Sequence, residues 1–276
     1  KFGLLSNGSK VHLFTLSNGS MSVSATNYGC TLTSIQLPCR GGGTVDVLLG
    51  FSTLDGFVNN DCCFGTIVGR FANRIGGARF TLDGIQYELD KNDGENTLHS
   101  GFNRFEKMLW KARKAHTEYG AGVEFYRTSY EMEQGFPGNV KISVFYTLNE
   151  KNELTLEYKA TTDKATPISL TNHAYFNLKG YNGGSVADHE MQLYCDSYLE
   201  TDAAHIPTGN ILPVAGTPFD FTSSCALGKR FAEVAPGYDH LFFKSGHTEK
   251  SVPELIAAVK DVKSGRKMLV KTKNAG

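Results

Sequence analysis

Alternation with a period of two dominates the chain. Met21, Val23 and Ala25 alternate with Ser20, Ser22, Ser24 and Thr26 directly after the turn pair Asn18-Gly19. Phe80-Thr81-Leu82 and Ile85-Gln86-Tyr87 flank Asp83-Gly84. Asp-Gly between two such runs is a strong hairpin signal, because the tightest hairpin turn needs positive φ at both residues. Val140, Ile142, Val144, Tyr146 and Leu148 alternate with polar neighbours, Asn149 to Glu153 turn the chain, and Leu154, Leu156, Tyr158 and Ala160 repeat the pattern. Side chains of a strand point alternately to its two faces, so these segments predict an antiparallel meander with one buried face. Helical periodicity is weak. Pro253 to Lys263 is the best helical stretch, with proline suited to a helix start. The pattern favours the alternative, a strand from Ala257 to Val262, a turn at Lys263-Ser264-Gly265 and a second strand through Met268 and Val270. No repeat, low-complexity tract or linker divides the chain. The expectation is all-β: one large antiparallel β-sandwich domain over residues 1–276.

Composition agrees and narrows the partner. Glycine occupies 30 of 276 positions, about 11% against a usual share of roughly 7%, while there are only 8 prolines. Such a chain turns often between short strands. Lys and Arg number 28, as do Asp and Glu, with no long run of either sign. Nothing there attracts a phosphate backbone or an anionic membrane, so the expected partner is a small uncharged molecule. The six cysteines are Cys30, Cys39, Cys62, Cys63, Cys195 and Cys225. None forms a C-x-x-C pair and adjacent Cys62 and Cys63 are badly placed to bridge, so reduced thiols in a cytoplasmic protein are expected. No apolar run reaches membrane-spanning length and no secretory leader is visible. The chain starts at Lys1 rather than Met and stops at Asn274-Ala275-Gly276, so natural ends beyond both are expected.

Four segments carry polar groups that a strand-turn scaffold does not need. They are Gly69 to Gly77 with Arg70, Asn73 and Arg74; Asn96 to Phe102 with His99; Thr171 to Leu178 with His173 between two asparagines; and Gly237 to His240 with Asp239. Each has a bland reading. His173 could be a core histidine whose imidazole is satisfied by hydrogen bonds, and the arginines could lie on a loop surface. No Lys-Ser/Thr pair follows the glycine-rich loop, which removes the nucleotide fingerprint, and no G-x-S-x-G serves a serine nucleophile. The histidines lack short paired spacing, so no metal is expected. Phe71, Phe102, Tyr175, Phe176 and Tyr238 accompany the polar groups. Flat apolar faces beside hydrogen-bonding side chains suit a pyranose ring, with its C–H faces and rim of hydroxyls.

Six stretches in order, GRFANRIGG (69–77), NTLHSGF (96–102), EQGFPG (133–138), TNHAYFNL (171–178), IPTGNILPVAGTPFDF (206–221) and GYDH (237–240), resemble the aldose 1-epimerase, or galactose mutarotase, family. The resemblance implies the mutarotase β-sandwich and interconversion of the α and β anomers of free aldoses, without a cofactor. It further implies His173 as general acid toward the ring oxygen, His99 as a group that positions or polarises the sugar, Arg70 and Asn73 as substrate contacts, and Asp239 as a holder of sugar hydroxyls. The family's general base is a glutamate in a strand beyond the Ser264-Gly265-Arg266 turn, and no acidic residue lies between Met268 and Gly276. A C-terminally incomplete sequence is therefore expected. Two other readings stay open: a catalytically silent sugar-binding module, and a hexose-6-phosphate epimerase, which would need extra positive charge at the pocket rim.

Overall fold

The computed structural model describes residues 2–59, 61–234, 237–244 and 252–274. The chain divides into two compact units, Lys1–Phe176 and Asn177–Gly276.

The first unit is built around two antiparallel meanders. Leu13–Ser17, Ser22–Thr26, Thr31–Pro38 and Thr44–Asp46 form one sheet in sequence order, and Lys111–Thr117, Gly120–Ser129, Val140–Leu148 and Leu154–Thr162 form the other. Their alternating apolar positions meet in one core, where Val23, Ala25, Leu32 and Ile35 pack with Val123, Phe125, Ile142 and Val144. Phe14 meets Phe125 edge-on at 5.4 Å between centroids. Burying each large apolar side chain is worth about 1.5–3 kcal/mol, so the period-two pattern itself holds the sheets face to face. Tyr146 sits fully enclosed in this core, and its hydroxyl donates to the Cys30 carbonyl at 2.7 Å.

The two short turns fall where expected. Leu13–Ser17 pairs with Ser22–Thr26 around Asn18-Gly19, and Arg79–Leu82 pairs with Ile85–Glu88. Asp83 and Gly84 lie at φ 51° and 79°, the left-handed pair that the right-handed twist of the strands requires. Phe80 stacks on Tyr87 at 5.1 Å across this hairpin.

In the second unit the strands Cys225–Ala226, Glu190–Leu193, Glu254–Lys260 and Lys267–Thr272 lie side by side in that order, and Pro207–Pro213, Ser197–Thr201 and Phe242–Phe243 form a three-stranded sheet. The ambiguous stretch after Pro253 is thus the first arm of a hairpin and not a helix. Its turn is closed by Asp261, whose carboxylate accepts the Ser264 N–H at 3.0 Å and whose carbonyl accepts the Gly265 N–H at 2.8 Å. None of the six cysteines is in a disulfide.

Candidate active site

His173 stands at the end of a short ladder. Thr171 and Asn172 pair with Val68 and Ile67, both buried. The ladder continues as the His173 N–H donates to the Thr66 carbonyl and the Gly65 N–H to the His173 carbonyl, each at 2.9 Å. Only glycine fits at 65, because its φ is +69° and a Cβ there would stand 2.2 Å from the Leu32 carbonyl oxygen. The asparagine before the histidine is structural. Its amide donates to the Gly65 carbonyl at 2.8 Å and to the Tyr146 hydroxyl at 3.3 Å. Asn177, on the other side, donates to the Gly184 carbonyl and accepts the Lys179 N–H. The imidazole itself is half-buried and not in the core.

His99 comes from a second ladder. Arg74–Ile75 and Thr97–Leu98 pair antiparallel, Leu98 facing Arg74. One step further, Asn73 and His99 close a two-bond clasp. The His99 N–H donates to the Asn73 carbonyl at 3.0 Å, and the Asn73 N–H donates to His99 Nδ1 at 3.0 Å. Asn73, His99 and Ser100 all lie at positive φ, 67°, 53° and 70°. Ser100 then anchors the neighbouring segment, its hydroxyl accepting the Phe71 N–H at 2.8 Å and donating to the Phe71 carbonyl at 3.0 Å.

These two ladders bring the imidazoles together. The His99 and His173 rings lie 5.3 Å apart, nearly perpendicular at 87°. Tyr175, 42% exposed, lies against the other side of His173 at 5.1 Å and is met edge-on by Phe64 at 5.1 Å. The arrangement is a pair of half-buried imidazoles beside an accessible aromatic face, chemistry suited to moving a proton on a ring-shaped polar molecule.

Arg70 departs from expectation. Its side chain has 0% exposure, and the protein takes its donors. Nη2 donates to the Ser129 hydroxyl at 2.8 Å and the Tyr130 carbonyl at 2.9 Å, and Nη1 to the Pro137 carbonyl at 2.7 Å. Longer contacts reach Phe136, Gly138 and Thr166. Gln134 brackets the adjoining peptide, accepting the Arg70 N–H and donating to the Gly69 carbonyl, each at 3.3 Å. Burial pulls the guanidinium pKa down from its usual value. The EQGFPG stretch is therefore the cradle of this arginine, and a guanidinium so enclosed presents no surface to a ligand. Arg74, next to Asn73 in the ladder, keeps 16% of its side chain exposed, with Nε on the Asp93 carboxylate at 2.7 Å. The sequence placed Tyr175 among the aromatic faces and Arg74 in the same polar loop, but gave Arg74 no contact of its own. The available signal was the buried run Thr66–Gly69, which leads straight into Arg70 and carries it inward.

Asp239 belongs to the second unit, where it is exposed between Tyr238 and His240. Tyr238 packs edge-on against Phe221 at 5.1 Å, and His240 lies 4.3 Å from the Phe219 ring. Among the described residues no group of three His, Cys, Asp or Glu side chains is arranged to hold a metal ion.

Comparison with known proteins gives a consistent answer. The family model for aldose 1-epimerase matches residues 12–276. Galactose mutarotase from Bos taurus is 41% identical over 267 residues, covering 96% of this chain and 76% of that protein. The protein of the same name from Mus musculus is 40% identical over 277 residues, covering 100% and 79%. The crystal structure of a GalM/aldose epimerase homologue from C. elegans superposes with a TM-score of 0.84 at 32% identity, over 94% of this chain and 78% of that one. With a family match that takes in both imidazole ladders and the second unit alike, the chain belongs to the aldose 1-epimerase family.

Proposed function

We propose that this chain interconverts the α and β anomers of free hexoses such as galactose and glucose, with His173 as general acid. The observation that carries the assignment is the His99–His173 pair, two imidazoles held 5.3 Å apart by separate backbone ladders. Mutarotation takes the proton from the C1 hydroxyl and protonates the ring oxygen, so that the C1–O5 bond breaks. The open aldehyde rotates about C1–C2 and recloses on its other face. Each group exchanges roles in the reverse direction, which calls for side chains that gain and lose protons near neutrality, as histidine does. The C1 proton leaves to a general base, which the family resemblance makes a carboxylate. Asn73, clasped to His99, and its neighbour Arg74 receive sugar hydroxyls, taking the role first expected of Arg70. Tyr175 offers the apolar face.

Phosphorylated hexoses fit less well. Arg70 is enclosed and Arg74 is ion-paired with Asp93, so neither offers an uncommitted cation to a phosphate. A cytoplasmic setting accords with the free thiols. His173→Asn tests the assignment against a silent sugar-binding module. The amide preserves polarity but cannot deliver a proton, so kcat should fall about 10²–10⁴-fold with KM changing far less. Polarimetry of freshly dissolved α-galactose, corrected for spontaneous mutarotation, reads this directly. A variant keeping more than about a tenth of wild-type kcat, well short of that range, would move the acid to another group.

A further inference from the structure

We infer that Ser100 is a positioning residue, whose hydroxyl stands in for a missing backbone rung and so fixes the segment that carries Asn73 and Arg74. The effect on sugar binding rests on the mutarotase reading above, whereas the tie itself rests on geometry. Ile75 pairs with Thr97 and Arg74 with Leu98, and the next step is the backbone bond from the His99 N–H to the Asn73 carbonyl. Continued in that register, the ladder would set Gly101 opposite Phe71. The chain turns away instead, through His99, Ser100 and Gly101 at φ 53°, 70° and 98°. The Gly101 N–H folds back to the Leu98 carbonyl at 3.2 Å, and the Gly101 carbonyl accepts from the Asn92 amide at 3.1 Å.

The other side of this segment belongs to Ser169. Its N–H donates to the Arg70 carbonyl at 3.0 Å, and its carbonyl accepts the Ala72 N–H at 2.9 Å, a parallel bridge centred on Phe71. Successive residues of an extended chain aim their polar groups to opposite sides, so the N–H and C=O of Phe71 face away from Ser169. The Ser100 hydroxyl meets both, accepting at 2.8 Å and donating at 3.0 Å from a side chain that is 1% exposed. One hydroxyl can do this because it carries a donor and acceptor lone pairs on a single atom. Alanine or glycine at 100 would leave two part-buried backbone groups unpaired. Residues 70–72 are therefore gripped from both sides, and the chain leaves this fixed base at Asn73, which is exposed at φ 67°. Held by Ser169 alone, the base would let Asn73 and Arg74 swing.

Ser100→Ala and Ser100→Gly test this as a pair. Both delete the hydroxyl, but glycine accepts a left-handed backbone without strain and alanine does not, so the alanine protein should melt lower. KM for galactose should rise about 2–10-fold in both, the worth of one net hydrogen bond. The change in kcat should be smaller, because contacts made alike in the ground and transition states move KM. Hydrogen exchange reads the tie without any substrate. The Phe71 amide should exchange about tenfold faster in both variants, again about one hydrogen bond, while the Ala72 amide, bonded to Ser169, keeps its wild-type rate. A Phe71 amide as slow as in wild type refutes the substitute rung. A KM that stays at the wild-type value in the glycine protein, or rises only in the less stable alanine protein, reduces Ser100 to a stability role and overturns the positioning. A wild-type protein without mutarotase activity would refute the functional reading instead, and the exchange result would stand.

Discussion

Replacing Arg70 with methionine separates a scaffold role from a substrate contact. Methionine keeps the apolar stem and removes the guanidinium. The Tyr130 and Pro137 carbonyls, now 2.9 and 2.7 Å from the guanidinium, would lose their donors inside a closed pocket. The Ser129 hydroxyl would lose the partner at 2.8 Å. Each buried polar group left unpaired costs about 1–3 kcal/mol. The turn at 130–138 can shift and admit water, which holds the sum for these three groups near its lower end, about 3–5 kcal/mol. At roughly 2–4 °C per kcal/mol for a chain of this size, the melting temperature should fall by about 6–20 °C. The control is Arg74→Met. Arg74 is partly open to solvent and makes one ion pair, worth about 0–1 kcal/mol, so its melting temperature should hardly move while KM for galactose rises. Differential scanning fluorimetry and polarimetry on both variants give four numbers. An Arg70→Met protein that melts like wild type but binds galactose poorly would refute the enclosure of this side chain and return it to the substrate.

Two further outcomes follow from burial. The Cys63 thiol is pushed up to about 12 by its surroundings, first by burial and then by Glu106, and burial raises Cys30 well above the normal range, whereas Cys62 is exposed; at pH 8, iodoacetamide followed by mass spectrometry should label Cys62 in the native protein and reach Cys30 and Cys63 only after denaturation. Burial against Phe219 and Tyr198 lowers the His240 pKa, a pull that Asp239 opposes in part; the unfolded chain then binds more protons just below the ordinary histidine value of about 6.5. Stability should accordingly fall as pH drops through that value, and denaturant midpoints at pH 8 and 5.5 should differ less in His240→Leu than in wild type.

The strand pattern was readable because its physics is local. Asn18-Gly19 and Asp83-Gly84 specify turns by backbone conformation, and the alternation in Val140–Leu148 specifies which face is buried, so part of each meander could be drawn before any coordinate, while Thr31–Pro38, Lys111–Thr117 and Gly120–Ser129 were not. The hairpin after Pro253 was a harder choice, since proline begins helices and strands alike; the Asp261 contacts that close its turn decide it. His173 and His99 stood out only because six motifs in order carried a family resemblance. Their pairing joins positions more than 70 residues apart in sequence through ladders on the shared stretch 67–75, which no local rule reaches. Arg70 and Arg74 could not be told apart, because a fully enclosed arginine is rare and its acceptors come mostly from carbonyls around residues 129–138. Backbone carbonyls have no letter in a sequence. The division into two units left no trace in composition either.

Tyr146 has a consequence for anyone redesigning this protein. Its ring is part of the sandwich core, and by volume alone phenylalanine would look like a safe or even stabilising exchange. Yet the same hydroxyl that donates to the Cys30 carbonyl accepts from Asn172, the residue directly before His173. One oxygen atom therefore joins the filling of the space between the two sheets to the aim of the imidazole. Libraries screened for heat resistance alone would be free to discard it, and the clones they yield could be robust and slow for a reason invisible in any list of residues near the sugar.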